Sequence, residues 1–167
     1  KYTITETGSA DGVTNDKDAA KTVTVKVKDN GDGTLTATAS STDETPLTFT
    51  NTYGVEPTTA SFPVKKELTV PEGMEGPESW SYTINVAAQN GAPAADTMTG
   101  AVTKAADVVT FGPFTYDKPG EYKYTITETG SADGVTNDAE SSKTVTVTVK
   151  DNGDGTLTAT ANSTDDK

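Results

Sequence analysis

The chain has 167 residues, a formal net charge of −12 and neither Cys nor His. Disulfides, His- or Cys-ligated metals and His- or Cys-based catalysis are therefore excluded, and the acidity argues against a nucleic-acid groove, where basic side chains must offset phosphates. It argues equally against an anionic membrane surface and fits the solubility of an exposed rod.

Thr and Val crowd the chain, and its periodic segments alternate with period two, so an all-β fold is expected. Lys1 to Glu6 reads as a strand with Tyr2, Ile4 and Glu6 on one face. Thr7 to Ala20 is a polar loop. Lys21 to Lys28 is a strand with Val23, Val25 and Val27 in phase. Asp29 to Gly33 turns it back into Thr34 to Ala39, the second arm of a hairpin. This Asp-Asn-Gly-Asp-Gly turn only superficially resembles a calcium loop, because its spacing fails the EF-hand pattern. After a loop from Ser40 to Pro46, Leu47 to Tyr53 is a further strand. Leu47, Phe49, Asn51 and Tyr53 share its face.

Residues 54–60 carry Gly, Pro and Thr without periodicity and read as a linker. Ser61 to Val70 is the next strand, with Phe62, Val64, Lys66, Leu68 and Val70 on one face. Trp80 to Ala88 follows, with Trp80, Tyr82, Ile84 and Val86 inward. Thr97 to Lys104 is weaker. Val108 to Tyr116 contains Pro113, which should bend or bulge the strand. Asp117 to Gly120 is a turn. Glu121 to Glu128, Lys143 to Lys150 and Thr156 to Ala161 complete the set. The Asn162-Ser-Thr164 sequon is of a kind that chance often produces and is discounted.

Lys123 to Asp138 repeats Lys1 to Asp16 word for word, an offset of 123 − 1 = 122 residues. The likeness continues to Lys167. Such a repeat marks a tandem array of modules. The expected organisation is residues 1–53 as the C-terminal part of one module, 54–60 as linker, and 61–167 as the next module without its last strand. No apolar run can span a bilayer, and no leader or anchor is visible.

Three strands place a polar residue in phase with their apolar face. Lys66 lies between Val64 and Leu68. Glu128 follows Tyr122, Tyr124 and Ile126, and Glu6 repeats it. Asn51 follows Leu47 and Phe49. Each alone reads equally well as a strand-end residue where the core opens to water. A buried lone charge needs a partner, however, so these residues are candidates to meet. In an apolar core, desolvation favours a neutral amine and a protonated carboxyl. The amine is then a nucleophile. The acid can polarise the carboxamide and shuttle protons. Held together, the amine attacks the amide carbon and ammonia leaves. An isopeptide bond remains: a single-turnover self-modification, not enzymatic turnover.

Phe62-Pro-Val-Lys-Lys-Glu-Leu68, Gly120-Glu-Tyr-Lys-Tyr-Thr-Ile-Thr-Glu128 and Phe49-Thr-Asn-Thr-Tyr53 resemble the pilin isopeptide-linkage repeats of Gram-positive surface proteins, relatives of the B-type domains of collagen-binding adhesins. The resemblance implies immunoglobulin-like β-sandwich modules in tandem, in pilus shafts or adhesin stalks at the cell wall, with no cofactor or metal. It implies Lys66 and Asn51 as cross-linking residues and Glu128 and Glu6 as catalytic ones. By the repeat, the Asn partner of Lys66 falls near position 173, and the Lys partner of Asn51 falls before residue 1. The partners are therefore neighbouring modules, or Leu47–Tyr53 completes the second module in cis, or it completes another chain in trans. The alternative function is a ligand-binding adhesin domain whose loops, such as Pro71–Ser79 and Gln89–Asp96, contact a host molecule.

Overall fold

The computed structural model describes residues 1–140 and 142–163. All its regular elements are strands, joined in antiparallel sheets. The chain divides into two compact units. One is Lys1–Gly54 with Gly153–Gly155; the other is Val55–Asn152 with Thr156–Lys167. Thr164, the third residue of the sequon, lies outside the described residues.

The first unit has six short strands. They are β1 (Tyr2–Thr5), β2 (Val13–Thr14), β3 (Ala20–Val23), β4 (Val25–Asp29), β5 (Leu35–Ala39) and β6 (Thr52–Tyr53). They pair β1 with β3, β2 with β6, and β4 with β5. The β4–β5 hairpin closes through the expected turn. Gly31 and Gly33 there adopt φ of 77° and 86°, and Gly31 N–H donates to the Asp29 carboxylate at 2.8 Å. Such left-handed positions favour glycine. The segment expected as one strand from Lys21 to Lys28 is interrupted between Val23 and Val25. Of Leu47–Tyr53, only Thr52 and Tyr53 join a ladder, opposite Thr14 and Val13. Thus β2 arises inside the segment expected to be a polar loop.

The second unit is a two-layer β-sandwich. One layer is a five-stranded sheet in the order β13-β12-β11-β8-β9; the other pairs β10 with β7. Its strands are β7 (Thr58–Lys65), β8 (Ser81–Ala88), β9 (Thr99–Thr103), β10 (Val108–Tyr116), β11 (Gly120–Thr129), β12 (Ser142–Asp151) and β13 (Leu157–Ser163). The ladder of β7 starts and stops earlier than the expected Ser61–Val70, leaving Lys66 just beyond its end. There the Lys66 N–H still donates to the Asp107 carbonyl at 2.8 Å. The bulge expected at Pro113 is present: the β7–β10 register shifts between Phe111 and Phe114.

Period-two alternation builds the core between the two layers. Tyr82, Ile84 and Val86 of β8, Tyr124 and Ile126 of β11, and Val145, Val147 and Val149 of β12 are buried, as are Phe62, Phe111 and Phe114 opposite them. Phe114 stacks on Phe62 at 5.2 Å and tilts against Tyr124 at 4.6 Å between ring centroids. The Tyr124 hydroxyl donates to the Pro93 carbonyl at 3.0 Å and shares a hydrogen bond with the Tyr116 hydroxyl, also at 3.0 Å. These two phenols thus bury their rings while keeping their polar ends partnered.

Candidate functional site

Glu128 is the penultimate residue of β11, opposite Ile84 of β8. Alternation after Tyr124 and Ile126 turns its side chain toward the core side, at the end where the sandwich opens. Lys66 reaches it from the other layer. Lys66 Nζ lies 2.8 Å from Glu128 Oε1, with side-chain exposures of 10% and 23%. The ammonium also sits 4.4 Å from the centroid of the Tyr82 ring, a cation–π contact that steadies the charge over an apolar wall. The Tyr82 hydroxyl donates to Asn137 Oδ1 at 3.1 Å, and Asn137 Nδ2 donates to the Gly130 carbonyl at 2.9 Å. Gly130 has φ of 134°. A Cβ there would lie 3.0 Å from Tyr82 Cδ1 and 3.2 Å from the Ser81 carbonyl oxygen. The chain leaving Glu128 is therefore turned against the ring that supports Lys66.

In the first unit the repeat residue Glu6 meets the amide instead of an amine. Asn51 Nδ2 donates to Glu6 Oε1 at 2.9 Å. Glu6 Oε2 is buried and has no hydrogen-bond partner among the described residues. The Asn51 carbonyl is held too: the Asp16 N–H donates to Asn51 Oδ1 at 2.8 Å. The carboxamide is thus gripped at both ends, with Glu6 on the nitrogen and a backbone donor on the oxygen. This is the arrangement that acyl transfer from an amide requires, since charge develops on the oxygen and the nitrogen must be protonated to leave.

The four expected site residues therefore form two pairs, Lys66–Glu128 in the second unit and Glu6–Asn51 in the first. Two further residues hold the Asn51 segment and were not expected from the sequence. Asp16 Oδ2 accepts from the Thr50 N–H at 2.9 Å and from Lys21 Nζ at 2.6 Å. Lys21 Nζ also donates to the Thr48 carbonyl at 2.5 Å and lies 4.8 Å from the Phe49 ring centroid. The Lys21 ammonium, followed by the N–H groups of Thr50 and Asp18, holds the Asp16 carboxyl well below the usual carboxylate range. Lys21 opens the expected strand Lys21 to Lys28, in phase with Val23, Val25 and Val27, whereas Asp16 lies in a loop without a period; the repeated Asn-Asp-x4-Lys is the sequence signal that links the two.

An all-β sandwich carrying an amine–carboxylate pair, beside a repeat carrying a carboxylate–carboxamide pair, defines a pilin-type isopeptide domain. A family model described as the Spy0128-like isopeptide containing domain (FctA) matches residues 1–54 and 62–167. The chain belongs to this family. No curated protein and no solved structure matches it.

Proposed function

We infer that the chain is a structural module of a stalk or pilus shaft on a Gram-positive cell surface, made rigid by an autocatalytic Lys–Asn isopeptide bond. The observation that carries this reading is the 2.8 Å Lys66–Glu128 pair, in a family named for its isopeptide. Glu128 takes a proton from the Lys66 ammonium. The freed amine attacks the Cγ of an Asn carboxamide delivered by a neighbouring last strand. The C–N bond to Lys66 forms. The protonated Glu128 gives its proton to the departing nitrogen, the C–N bond of the carboxamide breaks and ammonia leaves, and the Lys66 nitrogen passes its surplus proton back to the Glu128 carboxylate, which ends protonated. Glu6 plays the part of Glu128 for Asn51, with the attacking Lys supplied by a neighbouring first strand. Each bond forms once, so the module modifies itself and turns nothing over. A covalent link between first and last strands does for a Cys-free extracellular protein what a disulfide does elsewhere.

The test is the intact mass of the chain under denaturing conditions, alone and in a longer array reaching the next Phe-Thr-Asn-Thr-Tyr segment. Loss of one ammonia per complete module is expected, abolished by Lys66→Ala and by Glu128→Ala. An unchanged mass in the longer array would reject the reading.

A further inference from the structure

The dipeptide Asn-Gly occurs at Asn30-Gly31, Asn90-Gly91 and Asn152-Gly153. The backbone nitrogen that follows an Asn can attack its side-chain carbonyl carbon and close a five-membered ring, and Gly leaves that nitrogen unhindered. Two of these pairs are held against it. At the β4–β5 turn, Asn30 Nδ2 donates to Thr34 Oγ1 at 2.9 Å and to Thr36 Oγ1 at 3.0 Å, while Asp29 takes the Gly31 N–H. The β12–β13 turn repeats the hold. Asn152 Nδ2 donates to Thr156 Oγ1 at 2.8 Å, and Thr158 Oγ1 donates to Asn152 Oδ1 at 3.1 Å. Asn90-Gly91 lies just beyond β8, with both residues exposed. Among the described residues, the Asn90 carboxamide has no hydrogen-bond partner and the Gly91 N–H has no acceptor. The turn is closed by one bond, from the Ala92 N–H to the Gln89 carbonyl at 2.9 Å. Asn90, at φ of 48°, is the one described non-glycine residue in the left-handed region, and Gly91 follows at 82°. Room does not separate the three pairs, since no heavy atom lies within 4 Å of where a Cβ on Gly31, Gly91 or Gly153 would stand. Hydrogen bonding does.

We propose that Asn90-Gly91 is a site of spontaneous self-modification, where Asn90 loses its amide nitrogen and becomes aspartate or isoaspartate. The Gly91 nitrogen gives its proton to hydroxide and attacks Asn90 Cγ. A C–N bond forms, the Cγ–Nδ2 bond breaks, the departing nitrogen takes a proton from water, and ammonia leaves. Water then opens the ring. Attack at Cγ gives aspartate; attack at the main-chain carbonyl carbon of Asn90 leaves the chain running through Cγ, which is isoaspartate. Ring closure requires the Asn90 side chain and the Asn90-Gly91 peptide to rotate toward each other, and one turn hydrogen bond opposes this. At Asn152 the two threonine bonds must break as well. Either product adds a carboxylate to a chain already at −12. Isoaspartate also adds an atom to the main chain three residues before Pro93, whose carbonyl accepts the buried Tyr124 hydroxyl at 3.0 Å. The proposal does not depend on the Lys–Asn reading above.

The test is timed incubation of the full chain at neutral and mildly alkaline pH, native and in denaturant, followed by peptide mapping by mass spectrometry. Asn152 is the internal reference, because it shares the second unit with Asn90. In the native chain Asn90 should convert faster than Asn152 by about tenfold or more, and the rate at Asn90 should rise with pH as the Gly91 N–H is more readily deprotonated. In denaturant, where the threonine bonds are gone, the two rates should draw together. A native chain in which Asn90 converts no faster than Asn152 would overturn the proposal. So would a ratio that survives denaturation, since flanking sequence rather than the fold would then set it. The ring intermediate is lighter by one ammonia, as an isopeptide-linked module is, but hydroxylamine cuts the main chain at the ring and leaves an isopeptide bond intact. The two losses are therefore counted separately, and either can fail without the other.

Discussion

At the scale of single residues, the site is a matter of which polar groups an apolar surface forces together. Lys66 is nearly buried, and its charge is tolerable because Glu128 and the Tyr82 ring face it. The Asp16 carboxyl works differently. Its side chain is 11% exposed, and it gathers two backbone N–H groups and Lys21 around it. A carboxyl whose folded value is lowered contributes stability that is present above its ordinary value of 3.8 and is lost as pH falls through the lowered value. The amide resonance of Thr50 and the side-chain resonances of Asn51 should therefore hold steady from neutral pH down to 3.8 and move only below it. A transition centred at or above 3.8 would show that Asp16 does not hold the segment in solution. In Asp16→Asn, the Thr50 amide should lose its protection from exchange at all pH values.

At the scale of elements, the sandwich of the second unit depends on aromatic side chains that bridge its layers. Phe114→Ala removes a fully buried ring between Phe62 and Tyr124 and should cost about 3–5 kcal/mol, measured by chemical denaturation. A cost below about 1 kcal/mol would mean that the site collapses without penalty. Elements whose sequence alternates against a buried partner were legible from sequence alone: β8, β10, β11 and β12 fall close to where periodicity placed them. The errors have physical causes. Leu47–Tyr53 has the alternation of a strand, but a strand is a hydrogen-bonded pair, and only Thr52 and Tyr53 find a ladder partner. Thr48 and Thr50 satisfy their backbone through Lys21 and Asp16 instead, an interaction periodicity cannot foresee. Val13–Thr14 was missed because two residues are too few to show a period. Ser61–Val70 was drawn too long because Leu68 and Val70 continue the pattern past the last paired residue, Lys65. The pairing of Lys66 with Glu128 was legible because both break an apolar pattern. The Asp16–Lys21 contact was not, because Asp16 lies in a loop and much of what the two hold is backbone.

At the scale of the whole molecule, one sequence occurs in two conditions of burial. Within Lys1–Gly54 no described residue is buried, and Tyr2, Ile4, Val27 and Leu35 are 61%, 41%, 61% and 69% exposed. Their counterparts Tyr124, Ile126, Val149 and Leu157 belong to the core of the second unit, at 0%, 7%, 3% and 7%. Local opening is easiest where few apolar contacts hold a segment. Amide exchange in Lys1–Gly54 should therefore outpace exchange at the matching positions from Lys123 onward, and proteolysis should begin in that first stretch. Equal protection of the two copies would contradict this distribution of burial.

The word-for-word repeat gives that comparison an unusual property. Tyr-Thr-Ile-Thr-Glu occurs at residues 2–6 and again at 124–128, so intrinsic exchange rates and side-chain chemistry cancel between the twins. Whatever difference an instrument records between Ile4 and Ile126 is due to their surroundings alone. The chain is its own blank, and what an opposing β-layer is worth to a strand can be read from one sample, in one tube, without making a mutant.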